Sequence, residues 1–202
     1  MDVDNDHTQS LKDIDAAGLY PPLVLEAMWF ANKAHYGQVR KYTGAPYIEH
    51  PRAVCALVAT VPHTQAMLCA AWLHDVVEDC HVGLEEIEAR FGHDVAVLVE
   101  MLTDVSTPGD GNRAARKGVD LLHTQKASPQ AKTIKLADLI DNSESILARD
   151  KDFARVYLRE KMALLRHALR EGDRSLWWRA YGIAADGLDQ LGEPVDPPVP
   201  PR

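Results

Sequence analysis

The chain has 202 residues, 46% of them hydrophobic and 26% charged, the makeup of one globular domain that buries a core without disulfides or structural metal. Acidic residues exceed basic ones by 30 to 22, a net charge of −8, which argues against nucleic acid or an anionic membrane as the main partner. The three cysteines, Cys55, Cys69 and Cys80, have no CxxC spacing, which argues against a disulfide scaffold and a thiolate zinc site. No apolar run reaches the roughly 18 residues of a membrane span, and the acidic start MDVDNDHTQSLKD is unlike a signal peptide. A cytoplasmic protein is expected.

Residues 1–20 are polar and predict a loosely ordered segment. Pro21-Pro22 introduces a helical pattern running to about Tyr36. Residues 37–51 hold Gly44, Pro46 and Pro51 with Arg40 and Lys41 and predict a structured loop. Pro51 suits the first turn of a helix through about Thr60. The stretch from Ala66 to Val77 contains MLCAAWLHDVV. It is too long and too rich in Ala and Leu for a strand, so it predicts one buried central helix.

LEEIEARF repeats its apolar residues at the helical period between Gly83 and Gly92. HDVAVLVEMLTDV predicts another helix, with its valines leaving a strand open. STPGDGN is a loop. Helices follow over residues 113–125, 129–147 and 152–170, and a last amphipathic one carries Asp173 as N-cap. The tail GEPVDPPVPPR is too rich in proline to pack and should be extended. The class is all-α. The division is a polar segment over 1–20, a helical domain over 21–191 and a Pro-rich tail over 192–202.

Chemistry concentrates in three places. His74 and Asp75 interrupt an apolar helix, with Glu78 and Asp79 just beyond. The pairs His74/Glu78 and Asp75/Asp79 each share a helical face. Burying such groups without partners costs several kcal/mol each, and a metal bound by nitrogen and carboxylate oxygen would compensate. Glu78-Asp79 alone also fits a helix end in solvent. The second place is KLADLIDN, where Asp138, Asp141 and Asn142 form one polar stripe with Lys135 on the same side. Solvated helix faces look similar. The third is GQVRKYTGAPYIEHP, which ends on His50.

RKYTGAPYIEHP, LHDVVED and KLAD..DN, in this order, resemble the HD-domain hydrolases of the RelA/SpoT homologue family. The small single-domain alarmone hydrolases, with their metazoan member, are most similar. The resemblance covers about residues 25–165. It implies an HD-domain helical bundle and a hydrolase with one Mn²⁺ per chain. That enzyme removes the 3′-pyrophosphate from guanosine 3′,5′-bis(diphosphate) or the pentaphosphate, leaving GDP or GTP.

By motif position, the resemblance implies His50, His74, Asp75 and Asp138 as metal ligands, with Glu78 and Asp79 as acid–base and water-orienting carboxylates. It places Arg40, Lys41 and Asn142 on the nucleotide and Tyr47 in the pocket wall. Arg113, Arg116 and Lys117 are further candidate cations for a polyanionic substrate, or else an exposed basic helix face. Arg155, Tyr157 and Lys161 are candidate substrate contacts, while Phe153, Leu158, Leu164 and Leu165 read as core. Two positions depart from the family. Ser143-Glu144 stand where a basic residue is frequent, and Asp141 where long members carry histidine. The resemblance implies a stand-alone degrader with a nucleotide as its small-molecule partner. Trp177-Trp178 offers a patch for a homo-oligomer. Alternatives are a phosphohydrolase of adenosine-type alarmones or of the NADPH 2′-phosphate, and a catalytically silent nucleotide-binding regulator.

Overall fold

MLCAAWL is the centre of the molecule. In the computed structural model, which describes residues 3–202 with side chains from residue 9 onward, every side chain from Met67 to Leu73 is buried. Eleven α-helices occupy the described residues. They are α1 (Val3–Ala16), α2 (Pro22–Ala34), α3 (Glu49–Val58), α4 (Gln65–Leu73), α5 (Val76–Cys80), α6 (Leu84–Phe91), α7 (His93–Leu102), α8 (Arg113–Lys126), α9 (Pro129–Arg149), α10 (Lys151–His167) and α11 (Arg174–Gln190). Helix α4 is surrounded by α2, α3, α7 and α9, and α10 and α11 extend the bundle from α9. No strand is present among these residues, only an isolated bridge between Val39 and Pro46. Within the valine-rich 93–105 segment, residues 93–102 form α7, which buries Val95 and Val99 and packs on α4 and α6.

Local chemistry sets the helix starts. Thr64, Asn112, Ser128 and Asp150 each accept a backbone N–H three residues on. Asp173 caps α11 as expected, accepting from the backbone of Ser175 and Leu176. Such caps contribute about 1 kcal/mol each. The α10–α11 turn needs a small residue at Gly172. A Cβ there would lie 2.8 Å from Leu136 Cδ1 and 3.1 Å from the Lys132 carbonyl carbon. Gly172→Ala is expected to lower unfolding stability by about 1–3 kcal/mol, read from a denaturant midpoint that falls at constant slope.

Three expectations change. The polar N-terminal segment forms α1, held by buried Leu11 and by Trp29 Nε1 donating to Asp15 at 3.1 Å. Residues 1 and 2 of that segment lie outside the described residues. The proline-rich tail is extended but not unpacked. Glu193 pairs with Arg155 and Arg159, Asp196 with Arg166, and the Arg202 N–H donates to the Arg170 carbonyl at 2.8 Å. Charged side chains supply the grip that the prolines cannot. The expected single helix over 66–77 ends at Leu73 and restarts at Val76. His74 Nδ1 donates to the Ala71 carbonyl at 2.9 Å, the acceptor a continuing helix would offer to the Asp75 N–H.

Candidate active site

The break after α4 turns His74 and Asp75 inward, toward the first turn of α3 and the middle of α9. His50 sits on that first turn, one residue before Pro51, and is 2% exposed, like His74. The tautomers of both imidazoles follow from their partners. His74 Nδ1 faces a carbonyl and is therefore N–H. His50 Nδ1 donates to Asp141 Oδ2 at 2.7 Å, an aspartate held below its usual range, against burial, by His50 and Arg40. The two Nε2 atoms then face each other at 3.2 Å. Two lone pairs cannot meet without a proton or a cation between them. Asp75 Oδ2 closes the group, 3.1 Å from His74 Nε2 and 3.5 Å from His50 Nε2. Ligands about 2.1 Å from a metal at right angles stand about 3 Å apart. His50, His74 and Asp75 thus form a group able to hold a divalent ion.

Asp138 of α9 lies at the edge of this trio, 3.3 Å from His50 Nε2 through Oδ1. Its other oxygen pairs with Lys135 at 3.0 Å, and Asn142 Nδ2 donates to Oδ1 at 2.6 Å. Against burial, Lys135 and His50 hold Asp138 well below the usual carboxylate range. Against burial also, His74 and His50 do the same for Asp75. Burial alone would depress His50, yet Asp138, Asp141 and Asp75 push it up to about 10. A site of ionised carboxylates around imidazole attracts a cation, and a bound metal takes the place of that proton.

Glu78 and Asp79 project from α5 beside the trio. Both side chains reach solvent, yet both are pushed up. For Glu78 the causes are desolvation and the Asp104 and Asp75 carboxylates, and for Asp79 desolvation and Asp75. The Asp104 N–H donates to Glu78 Oε2 at 3.4 Å. Tyr47 donates to Asp75 Oδ2 at 2.7 Å and stacks on buried His35.

Loop 37–47 reaches α9 through Arg40. The left-handed Gly44 closes its turn by donating to the Arg40 carbonyl at 2.9 Å. The Arg40 guanidinium then meets Asp141 at 2.5 Å and Asn142 Oδ1 and Ser145 Oγ at 3.4 Å each. Lys41 is exposed and points to Tyr42 and Phe153. Lys117 is already engaged, with Asp104 at 2.6 Å and Asp120 at 3.2 Å.

A cavity of about 780 Å³ lies between α8 and α10 and reaches Lys135; Lys117 lines it and Arg116 does not. A second cavity, of about 720 Å³ beside α4 and α7, has no Lys or Arg in its lining, which makes it a poor receptor for a polyanion. Sequence reasoning left Asp141 and Asp104 out of the site. For Asp141 the signal was present, as it shares the stripe with Asp138. For Asp104 there was none, because its role depends on where the α7–α8 connection crosses α5.

An HD catalytic site is the class this arrangement defines: imidazoles and carboxylates converging at a helix break, with acidic residues one turn on. The HD-domain family pattern matches residues 27–166. The chain belongs to that family. It is 41% identical over 124 residues to the guanosine-3′,5′-bis(diphosphate) 3′-pyrophosphohydrolase MESH1 of Xenopus tropicalis, covering 59% of this chain and 67% of that one. It is 46% identical over 84 residues, 42% of this chain, to a Synechocystis protein named as a probable enzyme of the same activity, and spans 11% of that protein's length. A solved structure of a metazoan ortholog of SpoT that hydrolyzes ppGpp superposes with a TM-score of 0.74 at 29% identity, over 86% of this chain and 98% of that one.

Asp141 orients His50 from behind, so its loss should be felt at the metal. Asp141→Asn is expected to weaken metal affinity about 10–100-fold with the fold intact. Competition against a metallochromic chelator checks this, and an unchanged affinity would reduce Asp141 to a partner of Arg40.

Proposed function

We propose that this chain hydrolyses guanosine 3′,5′-bis(diphosphate)-type nucleotides at the 3′ position, using one Mn²⁺ per chain and releasing pyrophosphate. The observation that carries the reading is the opposed Nε2 pair of His50 and His74 closed by Asp75, with Glu78 and Asp79 alongside. Relatives named for this activity support it.

His50, His74, Asp75 and Asp138 would hold the metal. A bound divalent ion lowers the pKa of a coordinated water and polarises the phosphoryl oxygens. The rest is the work of side chains. Glu78 and Asp79, both pushed up by desolvation and neighbouring carboxylates, orient the attacking water and manage protons: one leaves the water, and one reaches the departing 3′ oxygen. Water adds to the phosphorus bonded to the 3′ oxygen, the O3′–P bond breaks, and GDP and pyrophosphate leave. Lys135 holds Asp138 in place, and Tyr47 holds Asp75. Arg40 and Asn142, which meet beside Asp138, are placed to receive the nucleotide, with Lys41 at the exposed end of the same loop. In the resting state Lys117 is tied to Asp104 and Asp120. It reaches a phosphate only by leaving them, and Arg116 only from outside the cavity.

The test is a nucleotide panel of guanosine and adenosine 3′-pyrophosphates and NADPH, assayed with Mn²⁺ and with excess chelator. The guanosine compound should turn over fastest, and only with metal. Turnover of NADPH alone would transfer the assignment to the 2′-phosphate.

A further inference from the structure

The α8–α10 cavity contains acids and bases in equal number, yet their pairing is uneven. Asp104 and Asp120 are both consumed by Lys117. Glu160 takes Arg113 at 2.8 Å through both of its oxygens. Asp152 pairs with Arg155, and the tail residue Glu193 with Arg155 and Arg159. Lys135 is held by Asp138. One lining cation remains. Among the described residues Lys161 has no ion pair and no hydrogen bond, and its Nζ lies 4.6 Å over the Tyr157 ring.

That isolation is unusual. Lys161 projects from α10 into the end of the cavity where Lys135 meets the Asp138 site. Desolvation, then the charge of Lys135, holds its ammonium down to about 8. Beside it the Tyr157 hydroxyl, on a residue 7% exposed, is buried without a partner. A desolvated cation with no ion-pair partner in contact is destabilising, and the Asp138 and Asp104 carboxylates act on Lys161 only from a distance. An arriving oxyanion would satisfy it with a charge-assisted hydrogen bond.

We propose that Lys161 is a substrate-positioning cation, which receives a phosphate group of the nucleotide at the inner end of the α8–α10 cavity. The inference rests on the phosphohydrolase reading for the identity of the ligand. The phosphate comes either from the pyrophosphate that leaves or from the 5′ diphosphate that stays.

The experiment uses the Mn²⁺-loaded full chain, with Lys161→Met and Lys161→Arg as variants. Inorganic pyrophosphate and GDP serve as separate probes in calorimetry. Lys161→Met should weaken one of the two by about tenfold or more, the scale of a lost bond to a charged group, while Lys161→Arg stays within about threefold. Loss for pyrophosphate places Lys161 on the leaving group, and loss for GDP on the 5′ chain; either supports the proposal. The ligand-free Lys161→Met protein should melt no lower than the wild type, since the half-buried Lys161 has no ion pair or hydrogen bond to lose. Unchanged affinity for both probes overturns the proposal, and so does a lower melting temperature, which would mark Lys161 as structural. Neither probe is a substrate, so failure of the hydrolase reading, seen as no turnover of any 3′-pyrophosphorylated nucleotide by the wild type, is read separately.

Discussion

Replacing Glu78 by Gln should leave the metal content and melting temperature of the protein unchanged and cut turnover by about 10²–10⁴-fold, the range for a positioned acid–base group. Gln is nearly isosteric and keeps an oxygen for the Asp104 N–H that Glu78 accepts. It cannot take or give a proton. Glu78 stands outside the His50, His74 and Asp75 trio, so the change removes chemistry without removing a ligand. Asp104 and Asp75 raise Glu78 because they are negative neighbours, and a neutral amide relieves that repulsion. Stability should therefore not fall. Single-turnover rates at saturating substrate, with metal analysis on the same samples, check both halves. A drop of less than tenfold would pass the proton-transfer role to Asp79.

Removing a ligand should act differently. His74→Ala is expected to lower bound metal from about one per chain to near zero and to take activity with it, because a structural or catalytic metal site rarely survives the loss of one of its few protein ligands. The hole is small and faces polar groups, so the helical content should remain. Asp138 needs a gentler substitution. It pairs with Lys135 in a buried position, and breaking a buried pair costs about 3–5 kcal/mol because the remaining charge is stranded. Asp138→Asn keeps one oxygen, which can stay with Lys135 while the contact to Asn142 is lost, and it weakens the attraction for metal. Atomic-absorption analysis after dialysis, beside circular dichroism, separates metal loss from unfolding. Full metal occupancy in both variants would contradict the ligand assignment.

Most of the helical frame is legible in the amino-acid order, since it follows from local periodicity and punctuation. Ser128-Pro129 and Asp173 mark helix starts for reasons contained within four residues. The His74-Asp75 break is not of that kind. It depends on a side chain taking the Ala71 carbonyl from the backbone, and hydrophobic periodicity continues across it. The dense motifs HDVVED, EHP and KLAD..DN stand out because polar groups in apolar helices need a reason. What lies between them is hidden. Asp141 acquires its place only when α3 lays His50 against α9, 91 positions away in the chain. The pairing of Glu193 with Arg155 and Arg159 was equally invisible, because a tail so rich in proline has no pattern that predicts docking. Lys117 shows the converse limit. Its charge was evident, but its two carboxylate partners come from the turn before α8 and from α8 itself.

The central claim is hydrolysis at the ribose 3′ position, and product identity tests it most directly. Wild-type protein with Mn²⁺ is incubated with guanosine 3′,5′-bis(diphosphate), and the products are resolved by anion-exchange chromatography with ³¹P NMR. GDP and pyrophosphate should appear in equal amounts, with the 5′ diphosphate untouched and no reaction in excess chelator. Release of orthophosphate, cleavage within the 5′ chain, or equal turnover without metal would contradict that claim.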